Sequence, residues 1–111
     1  MTRHDDAPVV IWTNRGCPAC VKAKQFFERK QAAFTERRLK SDPAIQRAFA
    51  LATGGARSVP QIFIGETHVG GFDDLLVQER QGNVDVLLGR VAPLPKRSLL
   101  QRWFGGHGKG R

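Results

Sequence analysis

Two cysteines separated by two residues directly follow a short apolar run, and this arrangement constrains the chain more than any other feature. Val9 to Trp12 is a buried-strand pattern, and Cys17-Pro18-Ala19-Cys20 comes just after it. No other cysteine is present among the 111 residues, which excludes a four-cysteine zinc site within one chain and a disulfide framework between distant segments. A Cys-x-x-Cys pair at a strand–helix junction is typical of a dithiol redox site. The alternative to a redox site is a pair of cysteines with a purely structural role.

Apolar periodicity and chain breakers predict one α/β domain with the element order βαβαββα and a short last helix. A right-handed βαβ unit followed by a hairpin gives a four-stranded mixed sheet with helices on both faces. Cys20, Ala23, Phe27 and Gln31 are predicted to share the buried face of the first helix. The predicted strands cover residues 9–13, 34–39, 61–64 and 67–69, and the predicted helices begin at Pro18, Asp42-Pro43, Phe72 and an N-cap at Asn83.

The position of each cysteine predicts its role. Cys17 falls at the N-terminal end of the first helix, where free N–H groups and the helix dipole stabilise a thiolate, and Arg15 adds positive charge nearby. A stabilised thiolate is also a good leaving group. Cys20 lies three residues further into the helix, so it is predicted to be the resolving thiol. A small buried hydrophobe is the alternative for Cys20 alone.

Two later segments could bind a ligand beside the thiols. Val59-Pro60 precedes a strand, and a cis bond there would present the Val59 backbone to an extended ligand, although an ordinary strand-start proline fits as well. Gly70-Gly71 permits close backbone approach, and the helix that starts at Phe72 offers N–H groups to an anion. Asp74 could pair with a ligand ammonium. The alternative is a glycine turn with aspartate N-caps and nothing bound.

The charge of the chain is concentrated at its end. Residues 1–90 carry thirteen Lys or Arg against ten Asp or Glu, whereas residues 91–111 carry five Lys or Arg and no acid, within a total of +8. We therefore expect a redox domain over 1–91 and a basic extension over 92–111 with a short amphipathic helix, most simply a solvated end rather than a nucleic-acid site. The polar start does not resemble a signal peptide, so we expect a cytoplasmic protein.

Three segments together resemble a dithiol glutaredoxin over roughly residues 8–91. They are Cys17-Pro18-Ala19-Cys20, the stretch from Ser58-Val59-Pro60 to Gly65, and the stretch from His68 to Gly70-Gly71-Phe72-Asp73-Asp74. The resemblance implies a thioredoxin fold with Cys17 as nucleophile. The chain departs from the family at Ala19, where tyrosine is usual, and at Asn14, where lysine is frequent. The implied glutathione-binding residues are Arg47, Arg57, Val59, Pro60, Gly71, Phe72, Asp73 and Asp74.

The resulting prediction is a monomeric, glutathione-dependent thiol–disulfide oxidoreductase that needs no metal. Its predicted partners are glutathione, glutathionylated or disulfide-bonded proteins and, indirectly, glutathione reductase. One alternative is a redoxin of the same fold that thioredoxin reductase reduces. Another is a binding module in which two chains hold a [2Fe–2S] cluster through Cys17 and two glutathiones. A nucleic-acid role for the basic extension is the remotest alternative.

Overall fold

The computed structural model describes residues 5–91, which form four strands and four helices. Both the predicted element order and the α/β class agree with it. Residues 1–4 and the predicted basic extension 92–111, with its short helix, lie outside the described residues. The elements are β1 Val9–Thr13, α1 Pro18–Arg29, β2 Thr35–Arg38, α2 Pro43–Thr53, β3 Gln61–Ile64, β4 Thr67–Gly70, α3 Phe72–Arg80 and α4 Asn83–Leu88.

The sheet has the strand order β2-β1-β3-β4 and is mixed, as predicted. β1 pairs in parallel with β2 across the α1 crossover, and it pairs antiparallel with β3, which continues as a hairpin into β4. β1 is therefore a central strand. The loop after Thr13, the last residue of β1, leads directly to the N-terminus of α1. Cys17 therefore follows the C-terminal end of β1, the strand that lies between β2 and β3.

Side chains of β1 alternate between two apolar layers. Val9 and Ile11 are buried in the main core beside Phe27 of α1 and Leu75 of α3. Trp12 faces the opposite side, where its ring packs edge-on against Phe49 of α2 with 5.3 Å between centroids. Because this period of two places α1 and α3 on one face and α2 on the other, the predicted helices on both faces are confirmed.

An ion pair joins the two ends of the described segment. The Arg90 guanidinium donates two hydrogen bonds to Asp6, at 2.9 and 2.7 Å, and a third to the Lys30 carbonyl at 2.9 Å. The Asp6 carboxylate raises the pKa of Arg90 against an opposing effect of burial. These bonds hold the chain before β1 and the chain after α4 against the end of α1.

Two local predictions were wrong. α1 ends at Arg29, and Gln31 is exposed with φ of +56°, so that Ala32 takes the buried position predicted for Gln31. Asn83 is the first residue of α4 rather than its N-cap. Gly82 occupies the cap with φ of +76°, a conformation that glycine adopts without strain. The Asn83 amide instead donates to Gln78 at 2.9 Å.

Candidate active site

Cys17 and Cys20 form a disulfide at the start of α1. Cys17 is the N-cap of the helix, Pro18 follows in its first turn, and the Cys20 backbone N–H donates to Cys17 Sγ over 3.1 Å. Because proline has no N–H, Pro18 removes one of the first-turn donors that would otherwise lack a partner within the helix. Cys17 is partly exposed, whereas Cys20 is 2% exposed. The accessible sulfur is thus the one that receives the helix N–H, as the sequence predicts.

The loop before β3 faces the disulfide. The Val59–Pro60 peptide bond is cis, and the Val59 carbonyl oxygen lies 3.7 Å from Cys17 Sγ. Pro60 itself is buried at the start of the strand. Of the two conformations that the sequence allowed here, the structure has the one that presents the Val59 backbone beside the thiols.

A groove of about 540 Å³ runs from the first turn of α1 to the start of α3. We call it the first groove. The structure brings six predicted residues together in it, and Asp73 and Asp74 make its charge acidic against one lysine, Lys22. Lys22 was not predicted, because its position on α1 indicates only that the side chain faces solvent. It lies one helical turn after Pro18 and so reaches the same groove. The lining residues are Pro18, Ala19, Lys22, Ser58, Val59, Pro60, Gly71, Phe72, Asp73 and Asp74.

The turn into α3 is shaped by Asp74. Its Oδ2 accepts a hydrogen bond from the Gly71 N–H at 2.9 Å. Gly71 is the N-cap residue of α3, and Asp74, in the first turn of that helix, thus satisfies the backbone donor of the cap. Gly70 has φ of +110°, and a Cβ there would lie only 2.5 Å from Asp74 Oδ2. Glycine is therefore required at position 70 by both backbone conformation and space. The Asp73 side chain is exposed at the groove.

The two predicted arginines differ in placement. Arg57 lines a hollow of about 350 Å³ that adjoins the first groove at Ser58 and Val59 and also includes Asn14 and Gln46. Arg47 is exposed on α2 and does not line this hollow. Gln46 was not predicted, because the sequence alone does not determine how α2 is rotated. It therefore does not show whether Gln46 or its neighbour Arg47 faces the hollow.

A second groove, of about 380 Å³, lies on the β2 side of α1 and includes both cysteines. Arg15, Lys24 and Arg38 line it together with one carboxylate, Glu36. Sequence reasoning assigned no role to this groove. Its cluster joins residues of α1 and β2 whose spacing matches no motif.

Glu36 organises the second groove. Its Oε2 accepts from Thr13 Oγ1 at 2.6 Å, from Lys24 Nζ at 3.2 Å and from Arg38 at 3.3 Å. The hydrogen bond from the Thr13 hydroxyl lowers the pKa of the Glu36 carboxyl; burial opposes this, and the two cations lower it further. Within residues 5–91, no group of three or more His, Cys, Asp or Glu side chains could hold a metal ion.

The glutaredoxin family profile matches residues 9–69. A glutaredoxin of Pseudomonas aeruginosa is 49% identical over 81 residues, which cover 73% of this chain and 95% of that protein. The chain belongs to the glutaredoxin family. Glutaredoxin 1 of Rickettsia typhi is 39% identical over 92 residues, covering 82% of this chain and 88% of the relative.

Solved glutaredoxin structures share the fold. A buckwheat glutaredoxin–glutathione complex superposes with a TM-score of 0.65 at 32% identity, covering 78% of this chain and 83% of that one. The solution structure of the Brucella melitensis glutaredoxin gives 0.65 at 38% identity, covering 81% and 97%. The predicted thioredoxin fold is confirmed. With its Cys17–Cys20 pair, this family member is a glutathione-dependent thiol–disulfide oxidoreductase.

Proposed function

We propose that this glutaredoxin reduces glutathione–protein mixed disulfides and protein disulfides, with Cys17 as nucleophile and Cys20 as resolving thiol. The observation that carries the assignment is the position of Cys17 Sγ. It caps α1, receives the Cys20 N–H at 3.1 Å and lies 3.7 Å from the Val59 carbonyl. The hydrogen bond from the Cys20 N–H favours a thiolate at Cys17 over one at the buried Cys20.

With a glutathione–protein mixed disulfide, only Cys17 needs to react. Its thiolate attacks the glutathione sulfur, a Cys17–glutathione disulfide forms, and the protein cysteine leaves as a thiolate that takes up a proton. A second glutathione thiolate then attacks the bound glutathione sulfur. Glutathione disulfide departs, and Cys17 leaves as the thiolate that the helix N-terminus stabilises.

With a protein disulfide, both cysteines take part. The Cys17 thiolate attacks one substrate sulfur and releases the other, and the Cys20 thiolate then attacks Cys17 Sγ. The substrate leaves as a dithiol, and the Cys17–Cys20 disulfide seen in the structure is formed. Two glutathiones return the pair to the dithiol state and leave as glutathione disulfide, so two electrons and two protons reach the substrate.

The first groove is the proposed glutathione site. The Val59 backbone would pair with the extended tripeptide, and Asp73 and Asp74 would hold the ammonium of its γ-glutamyl end, with Pro60, Gly71 and Phe72 forming the wall. Arg57, the second choice from the sequence, shares a hollow with Val59 and suits the glycyl carboxylate, whereas Arg47, the first choice, does not line that hollow. A buckwheat relative was solved as a glutathione complex, which supports glutathione as the ligand.

We further propose that the protein acts as a monomer in the cytosol, where such a dithiol cycles rather than persisting as a staple. None of the helices described in residues 5–91 has the length and apolar character needed to cross a membrane. Fractionation of cells that carry a tagged full-length chain tests the location. A tag recovered mainly outside the cytosolic fraction would contradict it.

The test of function is turnover of a glutathione mixed disulfide, with NADPH as electron source through glutathione and glutathione reductase. A parallel reaction supplies thioredoxin reductase instead. Activity that requires glutathione supports the proposal. Activity only with thioredoxin reductase would retain the fold and remove the glutathione site, whereas inactivity in both, with brown dimeric protein, would favour a shared [2Fe–2S] cluster.

A further inference from the structure

We propose that the second groove binds an acidic segment of the protein disulfide substrate beside Cys17 and Cys20. The inference rests on the proposed function, because a protein substrate must approach the same sulfurs. It adds the surface and the chemistry of the partner.

The location of the groove supports a substrate role. It is lined by Cys17 and Cys20 together, so its occupant lies next to the sulfur that attacks the substrate and the sulfur that resolves the intermediate. α1 separates it from the first groove, which opens on the β3 side. A polypeptide on the β2 side could therefore reach Cys17 while the Val59 backbone remains available.

The charge of the groove selects an acidic partner. Arg15, Lys24 and Arg38 contribute three positive charges, and Glu36 contributes the one negative charge. Arg15 takes part in none of the ion pairs found within residues 5–91. Exposed cations around a concave surface attract carboxylates and accelerate encounter with an acidic partner.

The cations are held in place before the partner arrives. Glu36 binds Lys24 and Arg38 at 3.2 and 3.3 Å, and its own position is fixed by Thr13, which is 1% exposed. Two positive charges thus share one carboxylate. Because they are already ordered, less side-chain entropy is lost when an acidic segment binds.

Free glutathione fits the second groove less well than a peptide segment. Glutathione carries an ammonium group as well as carboxylates, and the first groove offers two aspartates to it. In the second groove, the only lining carboxylate already accepts hydrogen bonds from three donors. An internal segment with Glu or Asp side chains brings no ammonium that needs a partner.

The test is peptide binding to the full-length chain with Cys17 and Cys20 reduced, followed by backbone amide NMR. The probes are an N-acetylated, C-amidated peptide of alternating Glu and Ser and a matched peptide of alternating Lys and Ser. We expect the acidic peptide to shift the amides of Arg15, Lys24 and Arg38. Its affinity should fall several-fold as salt rises from about 50 to about 200 mM. The lysine peptide should not bind.

Charge variants give effects of opposite sign. Arg38→Gln should weaken acidic-peptide binding about threefold, because it removes one positive charge. Glu36→Gln removes one negative charge but keeps an oxygen that can accept from Thr13 and Lys24, so it should tighten binding by a similar factor. Arg29→Gln removes an exposed cation from the far end of α1 and should leave binding unchanged. Thermal unfolding of each variant establishes that it is folded.

Three results would overturn the proposal: no binding of the acidic peptide, equal binding of the lysine peptide, or shifts centred on Lys22 and Asp73. Displacement of the peptide by glutathione would likewise place it in the first groove. The assay needs no turnover. A chain that failed the glutathione activity test but bound the peptide as described would refute the proposed function and retain the acidic docking site.

Discussion

Two grooves flank the same disulfide and differ in charge and construction. The first groove has two aspartates and one lysine and is shaped by backbone, with a cis peptide at Val59–Pro60 and a positive φ at Gly70. The second has three cations and one glutamate and is shaped by side chains that converge on Glu36. One nucleophile can therefore serve two differently charged partners from two sides.

The construction of each groove suits its proposed partner. A small ligand such as glutathione is recognised by fixed backbone groups and a few aimed carboxylates. A protein substrate varies in sequence, so a pattern of ordered charges recognises it more generally than a shaped cavity does. The variants below test whether the two sides can be separated experimentally.

The largest effect is expected at the Cys17 sulfur, which lines the second groove and lies 3.7 Å from the Val59 carbonyl at the first groove. Cys17→Ser should lower turnover of a glutathione mixed disulfide by roughly a thousandfold or more, because the nucleophile is lost. Cys20→Ser should retain that reaction and lose reduction of protein disulfides. The coupled NADPH assay measures both. Retained activity in Cys17→Ser with loss in Cys20→Ser would reverse the two roles.

Gly70→Ala and Gly71→Ala are a matched pair at the turn into α3, beside the first groove. At position 70 the added methyl would clash with Asp74 Oδ2, and the backbone would have to keep φ of +110° with a side chain present. We therefore expect the free energy of unfolding to fall by about 2 kcal/mol. At position 71 the methyl would meet its nearest atoms at 3.7 and 3.8 Å, and the loss should be below about 1 kcal/mol. Denaturant unfolding compares them, and equal losses would contradict the role of Asp74 in shaping the turn.

Asp73→Asn tests the acidity of the first groove alone. Loss of the charge should raise the KM for a glutathione mixed disulfide about tenfold, since a charge-assisted contact with the ammonium is weakened. Glu66→Gln is the control, because that exposed carboxylate lies in the β3–β4 turn at the other end of the hairpin. Steady-state kinetics measure both KM values. An unchanged KM in Asp73→Asn would show that Asp73 does not contribute to glutathione binding.

The smallest effect concerns the second groove. Glu36→Gln should lower unfolding free energy by about 1 kcal/mol at neutral pH. The Thr13 hydroxyl, against burial and together with Lys24 and Arg38, lowers the pKa of Glu36. Its contribution is therefore full above the ordinary value of 4.5 and is lost as pH falls through the lowered value.

Urea unfolding of both proteins from pH 7 towards pH 3 measures this difference, which should shrink in acid. A difference that stayed constant over that range would show that the charge of Glu36 does not stabilise the fold. Glu66→Gln again serves as the control. It should change stability by less than about 0.5 kcal/mol at neutral pH.

The sequence predicted the first groove well because backbone-shaping residues are local signals. Val9–Thr13 and Gln61–Ile64 match the predicted strands residue for residue, since β-branched runs between breakers leave little freedom. Cys17 falls at the N-cap for the same reason, with Pro18 setting the first turn. The placement of Val59 beside Cys17 depends on the long-range antiparallel pairing of β1 with β3, which no local signal in the sequence specifies.

The second groove could not be predicted, because its partners are distant in sequence and its strand is weakly marked. β2 is Thr35–Arg38, shorter than predicted and largely exposed. Its charged residues give no apolar alternation to fix which side faces α1. Only the parallel register of β1 and β2 brings Glu36 within hydrogen-bonding distance of Thr13.

The most direct test of the account is to locate glutathione on the protein. Cys20→Ser treated with glutathione disulfide should hold one glutathione on Cys17, and backbone amide NMR compares it with the untreated variant. We predict shifts at Val59, Asp73 and Asp74, with little change at Arg15 and Arg38. Shifts centred on Arg15 and Arg38 would place glutathione in the second groove and contradict the division between the two sides.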